Sequence, residues 1–176
     1  MNRVVLLGFP GCGKSTYGKR LAARLGYQFY DLDHQFEEHY RISVSDFFSK
    51  YGESAFRLCE KQLLLDLLKC DTCVISVGGG TPCFFDSMEM ILSNSVCIYI
   101  KLSAKSLYTR LVKSKKSRPL LVGKSPDELQ AYIENTLVSR ENFYSRAHIT
   151  LKGEGIVVDD LVSALQGKLE LPPEKN

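Results

Sequence analysis

Apolar positions along the chain alternate between two rhythms. Apolar runs that are unbroken or nearly so stand at 4–7, 74–77 and 95–100, with shorter mixed runs at 28–32 and 148–151. Between them lie stretches with apolar residues three and four apart: 17–25, 34–40, 43–48, 53–69, 84–92, 103–112, 125–144 and 156–169. The short runs predict strands, and the 95–100 run predicts one covered on both faces. The spaced stretches predict helices, each with one buried stripe, as in Phe56, Leu63, Leu64 and Leu67. Start signals agree: Ser43 with Asp46, Ser103, and Ser125 ahead of Pro126. Strands alternating with helices imply a parallel α/β sheet with right-handed crossovers. No internal repeat interrupts the pattern.

The stretch 113–124 differs, being basic, holding Pro119 and lacking a clean period. The last residues, 172–176, read as a frayed tail. A chain of 176 residues is expected to form one domain with a real core. Its net charge of +3 is too small to imply a nucleic-acid partner by itself. Six cysteines are scattered, and Cys12 lies in a loop where a disulfide would obstruct ligand binding. No leader is expected, since that loop begins at residue 8, and no apolar run approaches a membrane span. A reduced, cytoplasmic protein is therefore expected. Cys70 and Cys73 have C-x-x-C spacing but no second pair for zinc. They precede the expected strand at 74–77 and read as two thiols at a helix-to-strand turn.

Chemistry concentrates at Gly8-Phe9-Pro10-Gly11-Cys12-Gly13-Lys14-Ser15-Thr16, between the first strand and the first helix. This is G-x-x-x-x-G-K-S/T in its proper context, a P-loop. Gly11 and Gly13 let backbone N–H groups turn inward around phosphate oxygens. The helix opening at Lys14 adds its N-terminal dipole. Lys14 reaches β- and γ-phosphates, and the Ser15 hydroxyl suits Mg²⁺. A dinucleotide turn fails, because residue 16 would have to be glycine.

Other stretches fall at strand ends, where ligands of parallel sheets bind. Asp31 and Asp33 end the second strand two residues apart, so both carboxylates would share a face. One could hold Mg²⁺ through water while the other orients or deprotonates a hydroxyl. Gly78, Gly79 and Gly80 follow the third strand and leave room for a ligand at the backbone. Arg57 is three residues before Glu60, and Arg140 sits near a helix end; each reads either as a helix-paired cation or as a fork for a carboxylate. The stretch around Arg118 reads as a solvated charge run, a nucleic-acid patch, or a closing lid with an arginine for the transferred phosphoryl group.

The ordered set resembles the shikimate kinases over nearly the whole chain. It comprises the glycine loop, Asp31-Leu32-Asp33, Phe56-Arg57 with Glu60, Ser76 to Gly80, Arg118-Pro119-Leu120-Leu121, and Arg140 through Tyr144. The resemblance implies an α/β P-loop NTPase fold of the nucleoside-monophosphate-kinase type. This is a three-layer α/β/α sandwich around a five-stranded parallel sheet in the order 2-3-1-4-5. It implies one kinase domain over 1–176, with the phosphate loop at 8–16, a shikimate-binding region at about 33–60 and a lid at about 113–124. It implies transfer from MgATP to the 3-hydroxyl of shikimate, on the way to chorismate and aromatic amino acids, by a monomer without nucleic-acid or membrane partners.

Residue by residue, the resemblance gives ATP to Gly11, Cys12, Gly13, Lys14, Ser15, Thr16 and Arg118. Arg110 would stack on adenine. Lys14, Asp33 and Arg118 would be catalytic, Asp33 as or beside the base. Ser15 would ligate Mg²⁺ and Asp31 would hold it through water. Asp33, Arg57, Arg140 and the backbone of Gly78, Gly79 and Gly80 would bind shikimate, with Phe48 and Phe56 as pocket walls. At 152–155 the family's adenine-side loop carries a proline, whereas this chain has Lys152-Gly153-Glu154-Gly155. A gluconate-type kinase and a nucleoside monophosphate kinase are nearby alternatives. An RNA-binding switch using 113–124 is a distant one, predicting steeply salt-dependent binding.

Overall fold

The computed structural model describes residues 2–114 and 124–169. Five parallel strands form one sheet: β1 (Asn2–Leu7), β2 (Gln28–Asp31), β3 (Thr72–Ser76), β4 (Val96–Lys101) and β5 (Ile149–Lys152). Their order is β2-β3-β1-β4-β5. The helices are α1 (Lys14–Leu25), α2 (Leu32–Tyr40), α3 (Val44–Leu67), α4 (Ser87–Asn94), α5 (Ala104–Lys113), α6 (Pro126–Tyr144) and α7 (Val158–Leu165). A 3-10 turn spans Thr81–Cys83. Among the described residues, no helix is long and apolar enough to cross a membrane.

Both faces of the sheet are covered, which explains its apolar central strands. Val4 and Leu6 of β1 pack into one core with Val96, Ile98 and Ile100 of β4 and Leu21 of α1. Val5 and Leu7 pack into the other, with Cys97, Tyr99 and Leu64 of α3. Successive residues of a strand point to opposite faces, so the middle of a strand between two cores has no position for a polar side chain.

Several boundaries differ from those expected. β2 stops at Asp31, whose carboxylate accepts from the His34 N–H (3.5 Å) and caps α2. Asp33 therefore lies in the first turn of a helix, and the two carboxylates do not share a strand face. An aspartate's preference for the cap outweighs the short strand pattern. β3 opens at Thr72, so Cys73 lies inside the strand and only Cys70 precedes it. All six cysteines are free thiols. The helix expected from residue 84 begins at Ser87, because the 3-10 turn holding Pro82 runs to Cys83 and Phe85 takes φ 53°. The final helix is shorter than 156–169. The tail at 172–176 lies outside the described residues.

α3 is two helices in sequence, as its two predicted segments imply. They meet at Gly52, where φ 79° and ψ 171° break the helical geometry. On an unbroken helix, Phe48 and Phe56 would be separated by about 12 Å along the axis. The break brings their ring centroids to 4.5 Å.

At the far edge, Glu154 reaches from the β5–α7 loop to the start of α5. Its carboxylate accepts from the Ser103 N–H at 2.9 Å and the Ser103 hydroxyl at 3.1 Å. The Ser103 backbone bond, then the Ser106 hydroxyl, lower its pKa from 4.5 to about 2. A carboxyl group depressed in the folded state contributes stability above its unfolded pKa, and loses it as pH falls through the folded value. Urea unfolding of wild type should thus weaken between pH 4.5 and about 2, and Glu154→Gln should flatten that part of the profile. Identical slopes would show that the clasp contributes nothing.

Candidate active site

The carboxyl ends of β1, β2 and β3 open into one cleft of about 600 Å³. The glycine loop leaves β1 and enters α1 through Gly13, whose φ of 105° excludes a β-carbon; one there would also meet the Tyr17 ring at 2.8 Å. Lys14 is buried, and its ammonium donates to the carbonyls of Gly8 (2.8 Å) and Phe9 (3.2 Å). The lysine folds over its own loop, placing a cation where phosphate oxygens would arrive. Ser15 and Thr16 are exposed in the first turn of α1. Cys12 offers less than expected. Its side chain is in the core, its N–H donates to the Phe9 carbonyl (3.1 Å), and its carbonyl accepts from Arg110 (3.0 Å). Arg110 thereby ties α5 to the phosphate loop.

The Ser15 hydroxyl donates to the Asp31 carboxylate at 2.5 Å and lies 3.4 Å from the Ser76 hydroxyl. Three strands thus bring oxygen groups together at the loop: β1 through α1, β2, and β3. Ser76, buried at the end of β3, has no role assigned from the sequence and enters it only as the first residue of the 76–80 stretch.

The other half of the cleft is organised by Arg57. It is 6% exposed, and its charge is met from two sides. Glu53 accepts from Nε (3.2 Å) and Nη2 (3.0 Å), while Glu60 accepts from Nη1 (2.8 Å). Phe84 covers the guanidinium with its ring centroid 4.3 Å from Cζ, and Phe56 lies at 5.1 Å. A guanidinium has five N–H donors. Three are used here, so one remains on each Nη for an incoming acceptor. The two sequence readings of Arg57, helix pairing and carboxylate fork, are therefore compatible.

Glu60 is 3% exposed and also accepts from the Thr81 hydroxyl (2.7 Å). Burial pushes its pKa up, the Arg57 charge and both hydrogen bonds oppose the rise, and the nearby Asp33 charge adds to it. Thr81 and the bridging role of Glu60 were not assigned from sequence, although Glu60 stands one helical turn from Arg57. Phe56 is both wall and core, contacting Phe36 (4.8 Å) as well as the cleft. Phe48 is a wall and only half-buried.

The three glycines make room for side chains of the site itself. A β-carbon at Gly78 would lie 2.9 Å from both Glu60 Oε1 and Thr81 Oγ1, and 3.4 Å from Asp33 Oδ1. At Gly79 it would meet Pro10 at 2.5 Å and Arg140 Nη1 at 3.2 Å. At Gly80 it would meet Arg57 Nη2 at 2.5 Å. None of the three has positive φ, so close approach and not backbone freedom requires glycine here. Asp33, Arg57, Arg140 and the P-loop are thus all brought to one cleft. Arg118 and most of 113–124 lie outside the described residues.

Gly80→Ala should push Arg57 from its seat. Loss of charge-assisted bonds worth about 1.5–3 kcal/mol should weaken carboxylate-ligand binding by roughly tenfold or more. Calorimetric titration with shikimate, the acceptor that the resemblance implies, would read this loss. Nucleotide affinity should not change; an equal loss on both sides would mean general damage.

The shikimate kinase family model matches residues 10–166. The shikimate kinase of Parabacteroides distasonis is 40% identical over 96% of this chain and 98% of its own length. The crystal structure of shikimate kinase from Bacteroides thetaiotaomicron superposes with a TM-score of 0.89 at 35% identity, covering 97% of this chain and 99% of that one. Shikimate kinase from Acinetobacter baumannii, solved in complex with shikimate, gives 0.85 at 28% identity over 94% and 91%. A match over nearly the whole chain, the superposition on a solved shikimate kinase and the glycine loop in its place make this chain a member of the shikimate kinase family.

Proposed function

We propose that the protein transfers the γ-phosphoryl group of ATP to the 3-hydroxyl of shikimate, giving shikimate 3-phosphate and ADP. The observation that carries this reading is one cleft with two unlike halves. A phosphate loop with Lys14 faces a half-buried Asp33 flanked by Arg57 and Arg140. Such an acceptor half suits a hydroxyl on a small carboxylic acid.

In this reading the loop's N–H groups and Lys14 hold the phosphates, and Arg110 stands at the nucleotide side. Arg118, in the lid at about 113–124, neutralises the transferred group. Residues at about 33–60 form the acceptor region. Its remaining donors let Arg57 grip the acceptor carboxylate together with Arg140, while Phe48 and Phe56 hold the ring and keep water out. Gly79 and its neighbours offer backbone N–H groups. Asp33 accepts the proton of the attacking hydroxyl or fixes its direction.

The Ser15 hydroxyl and Asp31 carboxylate fit Mg²⁺, which favours hard oxygen donors and keeps most of its shell as water and phosphate. Bound there, the ion would offset charge on the β- and γ-phosphates. Six free thiols suit a reducing compartment, the cytoplasm.

Coupled ADP release from MgATP should depend on shikimate and not on gluconate. Turnover indifferent to every acceptor would sink the proposal. Asp33→Asn should lower kcat by about 10²–10⁴-fold with nucleotide affinity preserved. Unchanged turnover would remove Asp33 from the chemistry.

A further inference from the structure

Tyr144 closes α6 and is 0% exposed, yet its hydroxyl is not confined to the core. It donates to the carbonyl of Gly79 at 2.5 Å, across 65 positions of sequence. Arg140 stands one turn earlier on the same helix, beside the same glycine. The Tyr144 ring packs on Tyr99 at 5.0 Å, which fixes the phenol from behind. Burial raises the Tyr144 pKa against the pull of Arg140, so the hydroxyl remains a protonated donor at neutral pH.

The bond has a geometric consequence. Thr81 N–H donates to Gly78 and Cys83 N–H to Gly80, which leaves Gly79 as the glycine whose carbonyl is held by a side chain. Among the described residues no peptide bond is cis. In a trans peptide the carbonyl and the following N–H point in opposite directions. Holding the Gly79 carbonyl therefore sets the direction of the Gly80 N–H, at the residue that abuts Arg57.

We propose that Tyr144 is a positioning residue for the acceptor carboxylate, its hydroxyl fixing the Gly79–Gly80 peptide and Arg140 as one unit. The inference rests on the proposed acceptor. It goes beyond it by assigning a part of the carboxylate recognition to a core residue that does not line the cleft.

The test compares wild type, Tyr144→Phe and Tyr99→Phe in the ADP-release assay, with urea midpoints measured in parallel. Tyr99 is the control, since it is as buried but its hydroxyl bonds Glu141 (3.0 Å) instead. Tyr144→Phe should raise the shikimate KM about tenfold, the loss of one hydrogen bond of about 1–1.5 kcal/mol, with the ATP KM unchanged. Preference for shikimate over an analogue with hydroxymethyl in place of the carboxylate should shrink by the same factor. Tyr99→Phe should lower the urea midpoint alone.

A Tyr144→Phe enzyme that loses only stability, or whose two KM values rise together, overturns the inference. Wild type without shikimate-dependent turnover would instead overturn the acceptor reading beneath it. Should Tyr144→Phe not fold, NMR of the wild type serves. The Tyr144 hydroxyl proton and Gly80 amide should both shift on adding shikimate but not ADP. Resonances unmoved by shikimate would refute the role.

Discussion

The half of the cleft away from the phosphate loop depends on a buried guanidinium. Removing a charge from water carries an effective penalty of several kcal/mol per ion, recovered only with good geometry and full hydrogen bonding. Arg57 meets most of that condition with Glu53 on one edge, Glu60 on another and Phe84 over its face, leaving one donor on each Nη. Each partner then has its own requirement. Glu60 is itself buried and needs the Thr81 hydroxyl. Thr81 is placed by the turn after β3, and the room that Glu60, Arg57 and Arg140 occupy exists because residues 78–80 lack side chains. Gly78, Gly80, Thr81 and Phe84 all serve the seating of one arginine, while Gly79 makes room for Pro10 and Arg140.

The sheet order makes these meetings possible. With β3 between β2 and β1, the ends of three strands distant in sequence lie side by side. Asp31 ends β2, Ser76 ends β3, and Ser15 follows the loop after β1; the register pairs Asp31 with Ser76 directly. Strand pairing therefore sets Asp31 beside Ser76, and the glycine loop with the start of α1 brings the Ser15 hydroxyl to them. Carboxyl ends of neighbouring parallel strands share one edge, which is why ligands bind there.

Much of this could be read in the sequence. The glycine loop, the strand–helix alternation and the Ser125-Pro126 start of α6 are local, and local rules predict them. What local rules miss is competition between them. Asp31 satisfied both a strand pattern and a cap, and capping prevailed. At Cys73 the strand took the second thiol of an apparent pair. The bridging role of Glu60 and the reach of Tyr144 to Gly79 depend on packing across 21 and 65 positions, which no spacing rule encodes. Why three glycines were needed was also hidden: the sequence suggests space for a ligand, whereas the space is filled first by the site's own side chains.

The two halves of the cleft are built by different means, and this bears on how specificity is held. The phosphate half uses backbone groups and a helix terminus, which recognise phosphate whatever it is attached to. The half proposed for the acceptor uses paired charged side chains against the second core, where Phe56 packs on Phe36 and Phe47 while also contacting Arg57. A buried ion cluster that loses one member leaves another uncompensated, at about 3–5 kcal/mol. A change of acceptor through Arg57 or Glu60 would therefore be felt as instability as well as altered binding. The half-exposed Glu53 and Phe48 lie closer to solvent and are less constrained. The choice of acceptor in this fold is tied to the stability of the core that encloses it.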